Sequence, residues 1–192
     1  LGSSRMKLYA LCDQDSLSDR KLSLEDFVFL AKKHHAKIIQ YRNKSGTLEE
    51  IKTKLIELRR LWDGFLIVND KYELISFCDG VHMGQEDLEE IDVNIEKAVK
   101  SVREIIGREK LLGISTHDEN EIKKANSMDL DYIGLGAFKQ TSTKDVTNIL
   151  GSQLDVLASI SKHEVAAIGG VKLSDTFENV SYLVVGTGLY ES

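Results

Sequence analysis

A chain of 192 residues with a formal net charge of −6, its acidic and basic residues interspersed, has no electrostatic footprint for nucleic acid or an anionic membrane. No apolar run approaches the roughly 20 residues that span a bilayer, so no membrane partner is expected. Two cysteines are too few and too badly spaced for a disulfide framework or a metal knuckle, so Cys12 and Cys78 read as reduced, buried thiols. These bounds predict a cytoplasmic protein with a single domain over 6–192. Leu1 to Arg5 reads as an expression scar ahead of a natural start at Met6, with no signal peptide before it.

The elements follow in order. Lys7 to Cys12 is an apolar run that breaks at Asp13 into a polar stretch, Gln14 to Lys21, read as a loop. Ser23 with Asp26 is a capping-box start to a helix carrying Leu24, Phe27, Val28 and Ala31 at helical spacing. Lys37 to Arg42 is the second strand, and Thr47 with Glu50 caps a second helix through Ile51, Leu55, Leu58 and Trp62. Phe65 to Val68 is the third strand; a short helical segment over Tyr72 to Phe77 leads to the fourth at Gly80 to Met83. Asn94 caps the clearest helix, ended by Gly107 as a left-handed C-cap. Strands at 111–115, 132–136, 165–168 and 182–185 alternate with helices at 118–127 and 153–161 and a short one after Ser174. The count reaches eight alternations, which predicts an α/β fold of the (β/α)8 barrel type rather than an open doubly wound sheet. Helix three is shortened and the final helix reduced or missing; apolar barrel surface left bare there predicts a covering partner, a homo-oligomer.

Polarity falls at the carboxyl ends of the strands, the rim where such barrels keep their chemistry. Asn69-Asp70 ends the third strand and Asp87 follows the fourth; as parallel neighbours they place two hard oxygen ligands at one rim, suited to Mg2+ on a phosphorylated small molecule. Taken alone, Asp70 also fits a plain helix N-cap. Gln40, Arg42 and Lys44 alternate at the end of strand two and share its inward face, a fork and a mobile charge for a diphosphate, or else structural ion pairs with the neighbouring Asp residues. Thr141, Thr143 and Lys144 supply hydroxyls and an ammonium in the loop after strand six, as solvated loops also do. Gly169-Gly170 and Gly186-Thr187-Gly188 follow the last two strands, the usual phosphate loops of the fold, and otherwise read as turns. His82 reads as a core residue and His117 as a rim residue without a carboxylate partner.

The ordered set Gln40-x-Arg42-x-Lys44, Asn69-Asp70, Asp79 to Asp87, Gly113 to His117, Asp131 to Gly136 with Thr141-x-Thr143-Lys144, and Ala167 to Gly170 resembles the thiamin phosphate synthase family, which also contains thiazole tautomerase paralogues. The resemblance runs from Met6 to about Gly188. It implies a transferase that joins hydroxymethylpyrimidine diphosphate to thiazole phosphate or its carboxylate, with diphosphate leaving before the thiazole nitrogen attacks. By motif, Asp70 and Asp87 hold Mg2+; Arg42, Lys44, Asn69 and Lys144 hold the diphosphate; and Gln40 and Ser115 lie near the pyrimidine or diphosphate. Thr141 and Thr143 meet the thiazole, and Gly170, Gly186 and Thr187 its phosphate. Of these, Arg42, Lys44, Ser115 and Lys144 act in the chemistry.

The chain departs from the family pattern at Ala137 to Gln140, where a proline-containing segment is usual, in the shortened Asp70 to Asp79 segment, and in the final loop from Val184 to Tyr190. Two other readings stand beside the synthase: a tautomerase-like paralogue, against which Ala137 speaks, and a catalytically silent barrel that binds thiamin intermediates.

Overall fold

The computed structural model describes residues 6–141 and 148–191. Eight parallel strands run in chain order around a closed barrel: β1 Lys7–Asp13, β2 Ile38–Arg42, β3 Phe65–Asn69, β4 Gly80–Met83, β5 Leu111–Thr116, β6 Tyr132–Leu135, β7 Glu164–Ala167 and β8 Tyr182–Val185. Because β1 pairs with both β2 and β8, the sheet has no edge, and the open-sheet alternative falls.

Successive side chains on a strand point to opposite faces, and the sequence fills the two faces differently. Ala10, Ile39, Val68, Val81, Ile114, Ile133 and Val185 point outward under the helices in the large core. Tyr9, Ile38, Ile67, Tyr132, Ala166 and Val184 form a separate cluster inside the barrel. Among the interior residues, Gln40 and His82 are polar and buried, so the floor of the barrel is not a purely apolar plug.

The helices start where side chains satisfy their orphan amides. Reciprocal capping boxes open α2 (Leu24–Lys33) at Ser23/Asp26 and α3 (Leu48–Leu61) at Thr47/Glu50. Asn94 caps α5 (Ile95–Ile106), whose buried face is Ala98, Val99, Val102 and Ile106. Gly107 follows it at φ 87° and ψ 167°, a conformation open in practice to glycine alone, although extended rather than left-handed helical as expected.

Several elements differ from the sequence reading. The polar stretch after β1 is a helix, α1 (Gln14–Asp19), because Asp13 Oδ2 accepts hydrogen bonds from Ser16 N and Oγ at 3.1 Å and Leu17 is buried beneath. A second unexpected helix, α4 (Gln85–Ile91), starts directly behind β4 and buries Leu88. The helical segment behind β3 is short, as expected, a 3-10 segment over Tyr72–Phe77, and α6 (Glu119–Ala125) and α7 (Gln153–Ala158) follow β5 and β6.

The helix expected after Ser174 is absent. Asp175 instead closes a turn onto Lys172, and Asp155 on α7 accepts the amides of Glu178 and Asn179 at 2.8 Å, which keeps those amides out of a helix. Behind β8 the chain makes one 3-10 turn, Thr187–Leu189. That turn does not leave the barrel bare: Leu189 and Val185 are fully buried, and Tyr190 meets the ring of Phe27 edge-on at 6.3 Å. The ground for expecting a partner subunit there is thereby removed. No helix of the described residues is long and apolar enough to cross a membrane.

Candidate active site

A cavity of about 660 Å³ opens at the carboxyl ends of the strands. Gln40, Arg42, Lys44, Asn69, Asp70, Asp87, Ser115, Thr141, Gly170, Gly186 and Thr187 all line it. The closed barrel is what gathers them, since the strands and the segments that follow them meet at the same rim. Thr143 and Lys144 lie outside the described residues.

Both basic residues at the end of β2 are held by carboxylates. The register sets Arg42 beside Asp13, whose Oδ1 accepts from Arg42 Nη1 at 2.6 Å while Oδ2 caps α1. One carboxylate thus fixes the guanidinium and starts a helix. Lys44 Nζ reaches Asp70 Oδ2 at 3.0 Å and Asp87 Oδ2 at 3.7 Å, with about half of its side chain still exposed to the cavity. The ion pairs weighed as an alternative to ligand binding are present, yet they leave both cations facing the cavity.

Asp70 is the most constrained group of the rim. It sits at φ 62°, in the left-handed region that Asp enters at a cost of about 1 kcal/mol. Its Oδ1 accepts from Gly84 N at 2.8 Å and its Oδ2 from Asn69 Nδ2 at 3.0 Å. The plain N-cap alternative does not describe it, since it accepts from the residue behind β4 and from Lys44 rather than from a following helix.

Burial alone would raise the Asp70 carboxyl, but the Gly84 amide and the Lys44 ammonium together bring it below the ordinary range. Asp87 moves the other way, pushed up by burial and then by the negative charge of Asp70, with which it shares a hydrogen-bonding contact. For Lys44, burial works toward a lower value and is outweighed by the bond to Asp70, so the ammonium is held above its usual range. A β-carbon placed on Gly84 would lie 3.6 Å from Asp70 Oδ1 and 3.8 Å from Asp87 Oδ2, ordinary contact distances, so the two carboxylates stand on either side of this residue. Two crowded hard-oxygen donors, one of them destabilised by the other, suit a divalent cation. Among the described residues no third His, Cys, Asp or Glu joins them into a complete cage.

The opposite wall is glycine-rich. Gly169 and Gly170 have φ of 92° and 64°, and a β-carbon on Gly170 would press on Gln140 O at 2.8 Å, so this turn lets the segment after β6 lie flat on β7. Gly186 is different: a β-carbon there would make only ordinary contacts with Leu11, none closer than 3.7 Å, so packing does not demand glycine at this lining position.

For other lining residues it is the partners that the sequence reading missed. His82 is buried as expected but also faces the cavity, and bonds Ser115 Oγ through Nε2 at 2.9 Å. Gln85 Nε2 donates to Ser115 O at 2.7 Å. His117, read as lacking a carboxylate, has one: Glu121 Oε1 lies 2.8 Å from Nδ1 and also accepts the His117 amide. The i, i+4 spacing on the helix behind β5 was the available clue. Asp13 carried no clue beyond ending a strand.

Comparison with known proteins places this geometry. A family model described as thiamine monophosphate synthase matches residues 8–186. The thiamine-phosphate synthase of Lawsonia intracellularis is 36% identical over 182 residues, covering 91% of this chain and 79% of that protein. That of Caldicellulosiruptor saccharolyticus is 37% identical over 143 residues, covering 71% of this chain and 61% of its own length. A solved structure, thiamine phosphate pyrophosphorylase from Pyrococcus furiosus, superposes with a TM-score of 0.76 at 24% identity, over 96% of this chain and 87% of that one, a likeness of fold.

Proposed function

The chain belongs to the thiamine monophosphate synthase family, and from that membership we propose that it joins hydroxymethylpyrimidine diphosphate to a thiazole phosphate, giving thiamin phosphate and diphosphate. The observation that carries the reading is the rim cluster: Arg42 held by Asp13, and Lys44 held between Asp70 and Asp87, at the mouth of the cavity. In the reaction the methylene C–O bond breaks, its electron pair leaves with the diphosphate, and the thiazole nitrogen supplies the pair for the new C–N bond. Such a step needs a stabilised leaving group more than a base.

Arg42 offers a fixed planar fork and Lys44 a mobile charge, so the two together bind and orient the diphosphate oxygens. Asp70 and Asp87 would hold Mg2+. When bound, the ion neutralises charge developing on the leaving group. Asn69 keeps Asp70 oriented and reaches the same oxygens. Gln40 and Ser115 face the pyrimidine from the barrel floor. Thr141 meets the thiazole, and Gly170, Gly186 and Thr187 its phosphate; Thr143 and Lys144 complete the set by motif. The closed barrel excludes bulk water from below, which protects a cationic intermediate from hydrolysis. The free, buried thiols Cys12 and Cys78 fit a reducing compartment, the cytoplasm.

His117, held by Glu121, supports a second reading in which the site shifts a proton within the thiazole. Mixing the protein with both substrates and Mg2+ and following products by mass spectrometry separates the two. Thiamin phosphate supports the synthase; a rearranged thiazole with the diphosphate untouched supports the isomerase. Binding of both without change leaves a silent barrel.

A further inference from the structure

Inside the barrel, Gln40 and Ser115, both placed beside the pyrimidine, are joined in a run through three polar side chains to which the proposed reaction assigns no role. Gln40 Nε2 donates to Tyr9 Oη at 2.7 Å; Tyr9 Oη lies 2.7 Å from Tyr132 Oη; Tyr132 Oη lies 2.8 Å from His82 Nδ1; and His82 Nε2 lies 2.9 Å from Ser115 Oγ. The run crosses the barrel from β2 through β1, β6 and β4 to β5, and both of its ends line the cavity.

Its proton order follows from one end. An amide nitrogen can only donate, so Tyr9 accepts from Gln40. Burial pushes both phenols well above their ordinary range, so each keeps one proton to give. If Tyr9 donates to Tyr132, then Tyr132 donates to Nδ1, the imidazole carries its proton on Nε2, and Ser115 Oγ accepts it. Every proton in the run then has a partner. The reverse order gives Tyr9 two incoming protons and leaves its own with no acceptor in the run, at the cost of a buried unsatisfied donor.

We propose that Tyr9, Tyr132 and His82 are positioning residues that fix the direction of this run, so that Ser115 presents its hydroxyl to the cavity as a donor. The site is thereby set to select a substrate atom that accepts a hydrogen bond at Ser115, and to disfavour one that donates there. Gly113 belongs to the same device: a β-carbon on it would collide with the Tyr132 ring, so its absence makes room for the phenol to cross the barrel. The inference rests on the synthase reading only for the identity of the substrate.

Two measurements test it. The ¹⁵N spectrum of histidine-labelled wild-type protein, with His82 assigned through its contact with Gly134, should show a neutral ring protonated on Nε2. A ring protonated on Nδ1 overturns the proposal whether or not the protein turns over. In kinetics, Tyr132→Phe should lower kcat/KM about tenfold, the scale of one lost hydrogen bond. Tyr132→Phe added to Ser115→Ala should then cost little more than Ser115→Ala alone, because the relay acts through that hydroxyl. If the two losses multiply, the relay does not act through Ser115 and the proposal fails. Tyr9→Phe, which breaks the run one link earlier, serves if Tyr132→Phe does not fold. Absence of turnover in the wild type would sink the synthase reading while leaving the spectroscopic test decisive.

Discussion

Asp70 and Asp87 are the same residue type about 17 positions apart in sequence, and their surroundings drive them in opposite directions. The folded-state value of Asp70 lies below its ordinary 3.8, so it stabilises the fold above about that pH and the contribution is lost as pH falls toward the folded value. For Asp87 the sign reverses. Its raised value means a favourable contribution only at low pH, lost as pH rises through the folded value, so at pH 7 the ionised group is a liability. In metal-free protein we therefore expect Asp87→Asn to unfold a few degrees higher than wild type at pH 7, an advantage that fades toward pH 4. Asp70→Asn should unfold lower. Melting curves across that range check both, and a lower Tm for Asp87→Asn at pH 7 would contradict the assignment. Asp13 invites a finer cut. Asp13→Asn keeps an oxygen to cap α1 but loses the charge on Arg42, so KM for the diphosphate substrate should rise about tenfold, the scale of a charge-assisted hydrogen bond. An unchanged KM would show that Arg42 needs no anchor.

At the scale of elements, strand register does the assembling, and small side chains decide whether it can. Gly113 on β5 faces the Tyr132 ring of β6. Gly113→Ala must displace a fully enclosed aromatic, and overpacking of this kind costs about 1–3 kcal/mol, which unfolding in urea would measure; a neutral result would mean the ring has room the structure does not show. Helix starts show what can be read in advance. Ser23, Thr47 and Asn94 signalled their helices through side chains that bond to amides within one turn, a purely local relation. The helix α1 has an equally local cap, Asp13 accepting from Ser16 N, but only Leu17 is buried on it, so no apolar stripe announced a helix behind the polar stretch. The failed helix after Ser174 has a different cause: amides that local chemistry offered to a helix were taken by Asp155, about 20 residues upstream.

For the whole molecule, alternation of strands and helices pointed to the closed barrel, and the polar rim was legible because many of the cavity residues stand at or just beyond strand ends. What stayed hidden were relations across the barrel. The Gln40–Tyr9–Tyr132–His82–Ser115 run joins five strands, and nothing in any one strand announces that its tyrosine or histidine faces a partner from another. The bare face expected behind β8 failed for a similar reason, since a single 3-10 turn and Phe27 of α2 cover it together. The account as a whole rests on a diphosphate leaving with metal help at Asp70, Asp87, Arg42 and Lys44. Its most direct test is the rate of thiamin phosphate formation with Mg2+ and with chelator, in wild type and in Asp70→Asn. The expected result is metal-dependent product in wild type and a rate at least about a hundredfold lower in Asp70→Asn, the loss typical of one removed charge-stabilising group. Near-normal turnover in Asp70→Asn, or product formed equally well with chelator present, would contradict it.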